Sequence, residues 1–240
     1  MIKFFRQIRH SLLMENKTGK YFKYAIGEIV LVVIGILIAL SINNWHQERQ
    51  NIKLEKRYLE DLVNDLKQDS VILQEFHSEA KLTAIAKDSI YKVLNDPNYQ
   101  LDSLPGYFRR QWVGYRIFSP STSTIEELKS SSHLAVIRND IIRKQIVNIY
   151  YKYDLFLQDE ELYLRANREL YSIAKNELRN VDDPTSDEIK LLLQDRRMTN
   201  RIRKNFAKGR LQSIAKISNE CNSLLLVLRE SIARSKNSNL

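Results

Sequence analysis

Residues 23–45 read KYAIGEIVLVVIGILIALSINNW, and from Ala25 to Ile42 the one ionisable side chain is Glu28. As a helix those positions extend about 27 Å, close to the ~30 Å hydrocarbon core of a bilayer. Ten Leu, Ile and Val residues lie between Ile29 and Leu40. On the insertion scale they contribute about −3 to −6 kcal/mol, whereas a central charge costs at most about 3.5 kcal/mol. Glu28 therefore does not prevent insertion, and its place near one end lets it reach the headgroups. Tyr21, Tyr24 and Trp45 bracket the run where an interfacial aromatic belt would sit. The stretch predicts a membrane-spanning helix over 25–45.

Before the span stand Lys3, Arg6, Arg9, Lys17, Lys20 and Lys23, and after it Arg49, Lys53, Lys56 and Arg57. The larger basic count stays inside, so the amino terminus is expected in the cytoplasm and residues 46–240 outside it. The rival is a cleaved signal, for which Ala39-Leu40-Ser41 would serve as the small-x-small site. Its basic leader and apolar run are both longer than such signals use. In residues 1–24, Phe5, Ile8 and Leu12 share one face with Lys3, Arg6, Arg9 and His10 largely elsewhere. That is a basic amphipathic segment suited to the lipid bilayer surface and its anionic headgroups.

Residues 4–45, FFRQIRHSLLMENKTGKYFKYAIGEIVLVVIGILIALSINNW, resemble the amino terminus of an uncharacterised family of Gram-negative bacterial membrane proteins, a domain of unknown function. Its hallmark is a short basic helix followed by a "GEI-LVVIGILIAL-INNW" span. Residues 118–140, FSPSTSTIEELKSSSHLAVIRND, are similar to the family's second motif, in which the resemblance implies a glycine near the place Ser132 occupies here. The resemblance implies an inner-membrane setting. It supplies no activity and no site residues.

Beyond Trp45, apolar residues recur at Leu59, Leu62, Leu66, Leu73, Phe76 and Ala80, a helical seam with no proline or glycine before Pro97. A second seam runs through Ile142, Ile146, Ile149, Tyr153, Phe156, Tyr163, Leu170 and Ala174, interrupted by the polar Glu160 and Asn167. It is expected to pack back along the first. Thr185 and Glu188 signal a helix start, and Ile214, Ile217, Cys221, Leu224, Leu225, Leu228 and Ile232 give the cleanest apolar face. The expectation is an all-α chain: one transmembrane helix followed, over 46–240, by an elongated antiparallel helical bundle with a distal loop at 96–123.

That loop is crowded with aromatics and arginines, and Arg109, Arg110, Trp112 and Arg116 are its candidate partner-binding residues. The alternative is that the aromatics cap the open end of the bundle. A second basic cluster, Arg196 to Arg210, reads as a solvated face, with anionic lipid or nucleic acid as rivals. Within the span, Glu28 shares a side with Gly35 and Ala39, a small-xxx-small pair that lets two backbones approach, which predicts a homo-oligomer through the transmembrane helix.

The one cysteine, Cys221, forms no disulfide framework, and His10, His46, His77 and His133 are too scattered for a Glu-x-x-His or HExxH metal site. The six glycines make no phosphate-binding loop. Asp61, Asp65 and Asp69 align at i, i+4 and i+8 and read as a charged outer face. No catalytic, cofactor-binding or metal residues are assigned. The expected function is a membrane-anchored, non-enzymatic sensor, scaffold or interaction protein with an unknown envelope partner. The alternatives are an envelope-modifying enzyme with a dispersed site and, were the orientation reversed, a cytoplasmic nucleic-acid binder. With the domain outside the cytoplasm, no nucleic acid is expected.

Overall fold

The computed structural model describes residues 18–96, 98–112, 117–204 and 207–237. Every element among them is helical: α1 (Thr18–Asn95), α2 (Leu104–Arg109), α3 (Ser123–Ser130), a 3-10 turn (His133–Val136), α4 (Asp140–Glu177), α5 (Ser186–Leu192), α6 (Arg196–Arg203) and α7 (Ala207–Asn237). The chain divides into two units, Met1–Leu54 and Glu55–Leu240.

In the first unit, α1 carries the apolar run, its best window having a mean hydropathy of 2.8 with none of it buried in the protein. By length and composition this helix is able to cross a membrane. Past its apolar end the Arg49 guanidinium lies 4.4 Å from the centre of the Trp45 ring, and His46 and Gln50 share a 2.9 Å hydrogen bond.

In the second unit the apolar seams point inward. Leu62, Leu66 and Leu73 of α1, Ile146 and Tyr153 of α4 and Ile214, Cys221 and Leu228 of α7 are all fully buried. Good caps start several of these helices. The Asn139 side chain accepts from the backbone N–H of Ile141 and Ile142, Asp195 accepts from that of Arg197, and Thr185 and Glu188 form a complete capping box.

The direction of α4 differs from the expectation. Glu55 of α1 accepts from the backbone N–H and Nε of Arg138, both at 2.8 Å, just before α4 begins. Farther along, Phe118 touches Phe76 of α1 and both Tyr153 and Phe156 of α4. Farther still, Ile90 and Val93 join Leu170, Ala174 and Leu178 in one apolar cluster. Rising numbers on α1 match rising numbers on α4, so the two helices run parallel. Helix α7 runs against both, with Lys208 beside Asp88, Arg210 beside Glu160, Glu220 beside Lys152 and Cys221 beside Leu66.

Parallel neighbours need a connection that travels the length of the pair, as in helical folds with crossover loops. Residues 98–138 supply it. Phe108 sits in the cluster with Val93, Phe118 lies against Phe76, the Ser121 N–H donates to Asp69, Thr124 N–H to Asp65, and Tyr58 donates to Glu127. The segment thus descends α1 from Val93 to Glu55, and between α2 and α3 its residues 117–122 belong to no helix. The aromatics and prolines that read as a loop tip serve in part to pack this crossing, with Phe118 1% exposed at its centre.

Between α3 and the 3-10 turn, Ser132 takes φ 58° and ψ 22°, a positive φ unique among the described non-glycine residues. The left-handed turn for which the family resemblance implies a glycine is thus made here by a serine, at the steric cost of its Cβ. Ser132→Gly is expected to raise stability by about 1 kcal/mol, measured as a higher urea midpoint with unchanged slope; a lower midpoint would mean that the serine side chain, not the backbone, matters there.

Candidate functional site

The sequence-selected residues fall into three settings. Along α1, Gly35 and Ala39 are exposed and a Cβ placed on Gly35 would meet nothing within 4 Å, so this face is open to a neighbour. Glu28 is half-buried on the same helix. The amphipathic reading of residues 1–17 lies outside the described residues.

Around α2, Trp112 is 4% exposed and stacks edge-on against Phe108, ring centres 4.8 Å apart, and against Tyr171 at 6.1 Å. It is core, not contact surface. Arg109 donates to the backbone oxygen of Asp182 at 2.6 Å, and Arg110 reaches Glu79 at 3.5 Å. These two arginines border the packed tryptophan and tether α2 to its neighbours, while Arg116 lies outside the described residues. Trp112→Ala should cost about 3–5 kcal/mol by emptying a packed site, whereas Arg109→Ala should cost about 1 kcal/mol or less. Thermal denaturation of the two variants separates a core tryptophan from a surface one, which would give two small effects.

Four of the seven basic residues in the cluster at 196–210 are ion-paired. Arg197 binds Asp195 and Glu177, Arg201 binds Glu169, and Lys208 binds Asp88 at 2.9 Å. The Arg197 hydrogen bonds hold the Asp195 carboxyl below its ordinary range. Arg210 is different: its side chain is 7% exposed and makes two 2.7 Å bonds to Glu160, itself 2% exposed. The guanidinium also lies 4.6 Å from the Tyr163 ring centre. Burial opposes its charge, but the Glu160 bonds outweigh burial and raise its pKa. A cleft of 280 Å³ opens beside this pair, with Phe156, Leu162 and Ser213 on its walls.

Two polar junctions are invisible in the local sequence. At the first, the buried Tyr58 hydroxyl lies 2.8 Å from both Glu127 Oε1 and His133 Nδ1, and Arg57 reaches the same Glu127 oxygen at 3.1 Å. With the Tyr58 hydroxyl donating to Glu127, its oxygen is left to accept from His133 Nδ1–H, which assigns the ring proton to Nδ1. Residues some seventy positions apart meet here because the crossing segment returns to the start of the domain.

At the second junction Asp69 is fully buried, accepting the Ser121 N–H at 2.8 Å through Oδ1. Its Oδ2 has no hydrogen-bond partner. The aligned Asp61, Asp65 and Asp69 are therefore not a simple outer face: Asp65 and Asp69 turn toward the crossing segment and bind its backbone. Burial raises the Asp69 pKa to about 6, with the Ser121 bonds opposing. Cys221, buried nearby on α7, donates to the Leu66 oxygen at 3.4 Å, and burial pushes its thiol up to about 11, which makes it a poor nucleophile. Among the described residues, no three His, Cys, Asp or Glu side chains converge to hold a metal ion.

Residues 28–196 match a family of unknown function (DUF6090). That stretch takes in most of the apolar run, the crossing segment, both polar junctions up to α4, and helices α4 and α5. No curated protein matches the chain, and no solved structure does.

Proposed function

The chain belongs to this family of unknown function, and on that premise we propose that it is a single-pass membrane protein whose helical domain is a non-enzymatic interaction module, a sensor or scaffold held outside the cytoplasm. The observation that carries this reading is the wholly unburied apolar window on α1. An uninterrupted apolar helix surface of that length is stable where it is covered, and lipid covers it at no cost in backbone hydrogen bonds. The six basic residues before the span against four after it support a cytoplasmic amino terminus at an inner membrane, with the domain in a periplasm-like space. Anionic headgroups are the partners of the basic segment at 1–24. A protein of the envelope is the partner of the domain, meeting it at the Arg109 and Arg110 surface over α2.

Protease treatment of spheroplasts tests the placement. Digestion of the domain from outside is expected; a protected domain would reverse the orientation and reopen the nucleic-acid reading. The ion pairs of Arg197, Arg201 and Lys208 weigh against that reading because they leave less unbalanced positive charge for phosphates.

One observation favours a second reading, an envelope-modifying enzyme: His133 Nδ1 is held by the Tyr58 hydroxyl, which is itself bonded to Glu127, an orienting chain of the kind that positions a general base. Turnover of an ester or amide substrate by the full chain, lost in His133→Ala, would support it.

The open face at Gly35 and Ala39, with Glu28 on the same side of the helix, is proposed to join two copies of the span, Glu28 exchanging its present contact for a hydrogen bond to the partner helix. In a two-hybrid assay of the span, Gly35→Leu should abolish association by bulk and Glu28→Gln should keep most of it. Equal signals from the parent, both variants and a monomeric control would exclude the dimer.

A further inference from the structure

The 280 Å³ cleft beside the Arg210–Glu160 pair lies between α4 and α7, with Phe156, Asp159 and Leu162 on one wall and Gly209, Arg210 and Ser213 on the other. A second cleft, of 300 Å³, adjoins it through Phe156, Asp159 and Ser213, which line both, and adds the apolar Leu155 and Ile217. The walls are mainly apolar, yet Leu162 is 59% exposed and Leu155 43%. Nothing from α7 fills the space, since a Cβ built on Gly209 would meet nothing within 4 Å. A concave, apolar space with a few convergent polar groups is the form a small-molecule site takes.

The charges on the lining select the class of ligand. In the first cleft two carboxylates, Asp159 and Glu160, stand against one guanidinium. Arg210 and Glu160 are spent on each other through two 2.7 Å bonds, and an outside ion that took either would leave its partner buried and uncompensated. Asp159 differs. It is exposed and, among the described residues, has no hydrogen bond or ion pair. In the second cleft Lys152 and Glu220 are joined at 2.8 Å, and the exposed Lys216 stands on the α7 wall. Lys216 lines only the second cleft, so the first carries one uncompensated negative charge beside its apolar wall.

We propose that the α4–α7 cleft binds a small aliphatic amine, with its ammonium on Asp159 and its alkyl body against Phe156 and Leu162. The ammonium makes a charge-assisted hydrogen bond to a carboxylate that otherwise has only water. The alkyl body removes exposed leucine surface from water. A carboxylate head of the same length meets the Asp159 charge and is repelled, and an alcohol gains the burial without the charge. The cleft lies wholly within the second unit, so its use does not depend on which side of a membrane the domain faces.

The test titrates the full chain in detergent micelles with n-hexylamine, n-hexanol or sodium hexanoate while the Leu162 methyl resonances are followed by NMR. Hexylamine should saturate a Leu162 shift at a midpoint about fivefold or more below those of the other two. Asp159→Asn should raise the hexylamine midpoint to that of hexanol. Gly209→Leu puts a side chain into space that is open in the parent, and it should remove the Leu162 response while helicity stays unchanged. Partition into micelles is common to all the proteins and cancels between them. Equal midpoints for the amine and the alcohol would overturn the proposal, as would hexanoate binding as tightly as hexylamine, or no saturable shift with any of the three. So would an Asp159→Asn protein that binds hexylamine as the parent does, a result that stands even if Gly209→Leu fails to fold.

Discussion

An apolar helix surface that no described residue covers is the constraint from which the rest of the account proceeds. Ile29 to Ile42 present branched and unbranched aliphatic side chains all round the helix, each about half or more exposed. A helix that is hydrophobic on every side is a buried helix, and here none of the described residues buries it. Only Ser41 breaks the pattern near its end, and its hydroxyl is returned to the Leu37 carbonyl at 2.8 Å. With its backbone satisfied internally and its side chains apolar, the segment has the two properties that hydrocarbon demands.

In the second unit the governing problem is connection. Placing α4 parallel to α1 obliges the chain to travel back along both before α4 starts, and the crossing must itself be packed. Aromatic rings do most of that work, Phe108 and Trp112 toward one end and Phe118 at the middle. Hydrogen bonds that Asp65, Asp69 and Glu55 accept from its backbone N–H groups fix its register. Backbone N–H groups outside a helix, or in its first turn, have no intrahelical partner, so carboxylates on the neighbouring helix are the chemically suitable acceptors. The buried Arg210–Glu160 pair marks the α4–α7 contact in the same way. Such a pair contributes more to choosing one alignment than to net stability, because the two charges must first be removed from water.

Much of this was legible in the residues. The seams at Leu59 to Ala80, Ile142 to Ala174 and Ile214 to Leu228 are the buried faces, and the Thr185–Glu188 helix start is present with both of its hydrogen bonds. Periodicity identifies which face of a helix is inside, but it carries no information about direction, and so the parallel course of α4 was hidden. The polar interruptions were hidden for another reason. Glu160 finds its partner 50 residues away and Asp69 finds its partner 52 residues away, so nothing local marks them as buried. Trp112 shows the converse, since a tryptophan among arginines has the composition of a contact surface and only the positions of Phe108 and Tyr171 reveal a core. Ser132 hides its turn because serine does not announce a positive φ.

The central claim, that the apolar half of α1 is held by lipid, is tested most directly by extracting membranes at alkaline pH and following the chain. The account predicts that the full chain remains in the membrane pellet while residues 46–240 alone appear in the supernatant as a helical protein. Release of the full chain into the supernatant would contradict it, because an aliphatic helix surface of this extent leaves a bilayer only if something else covers it.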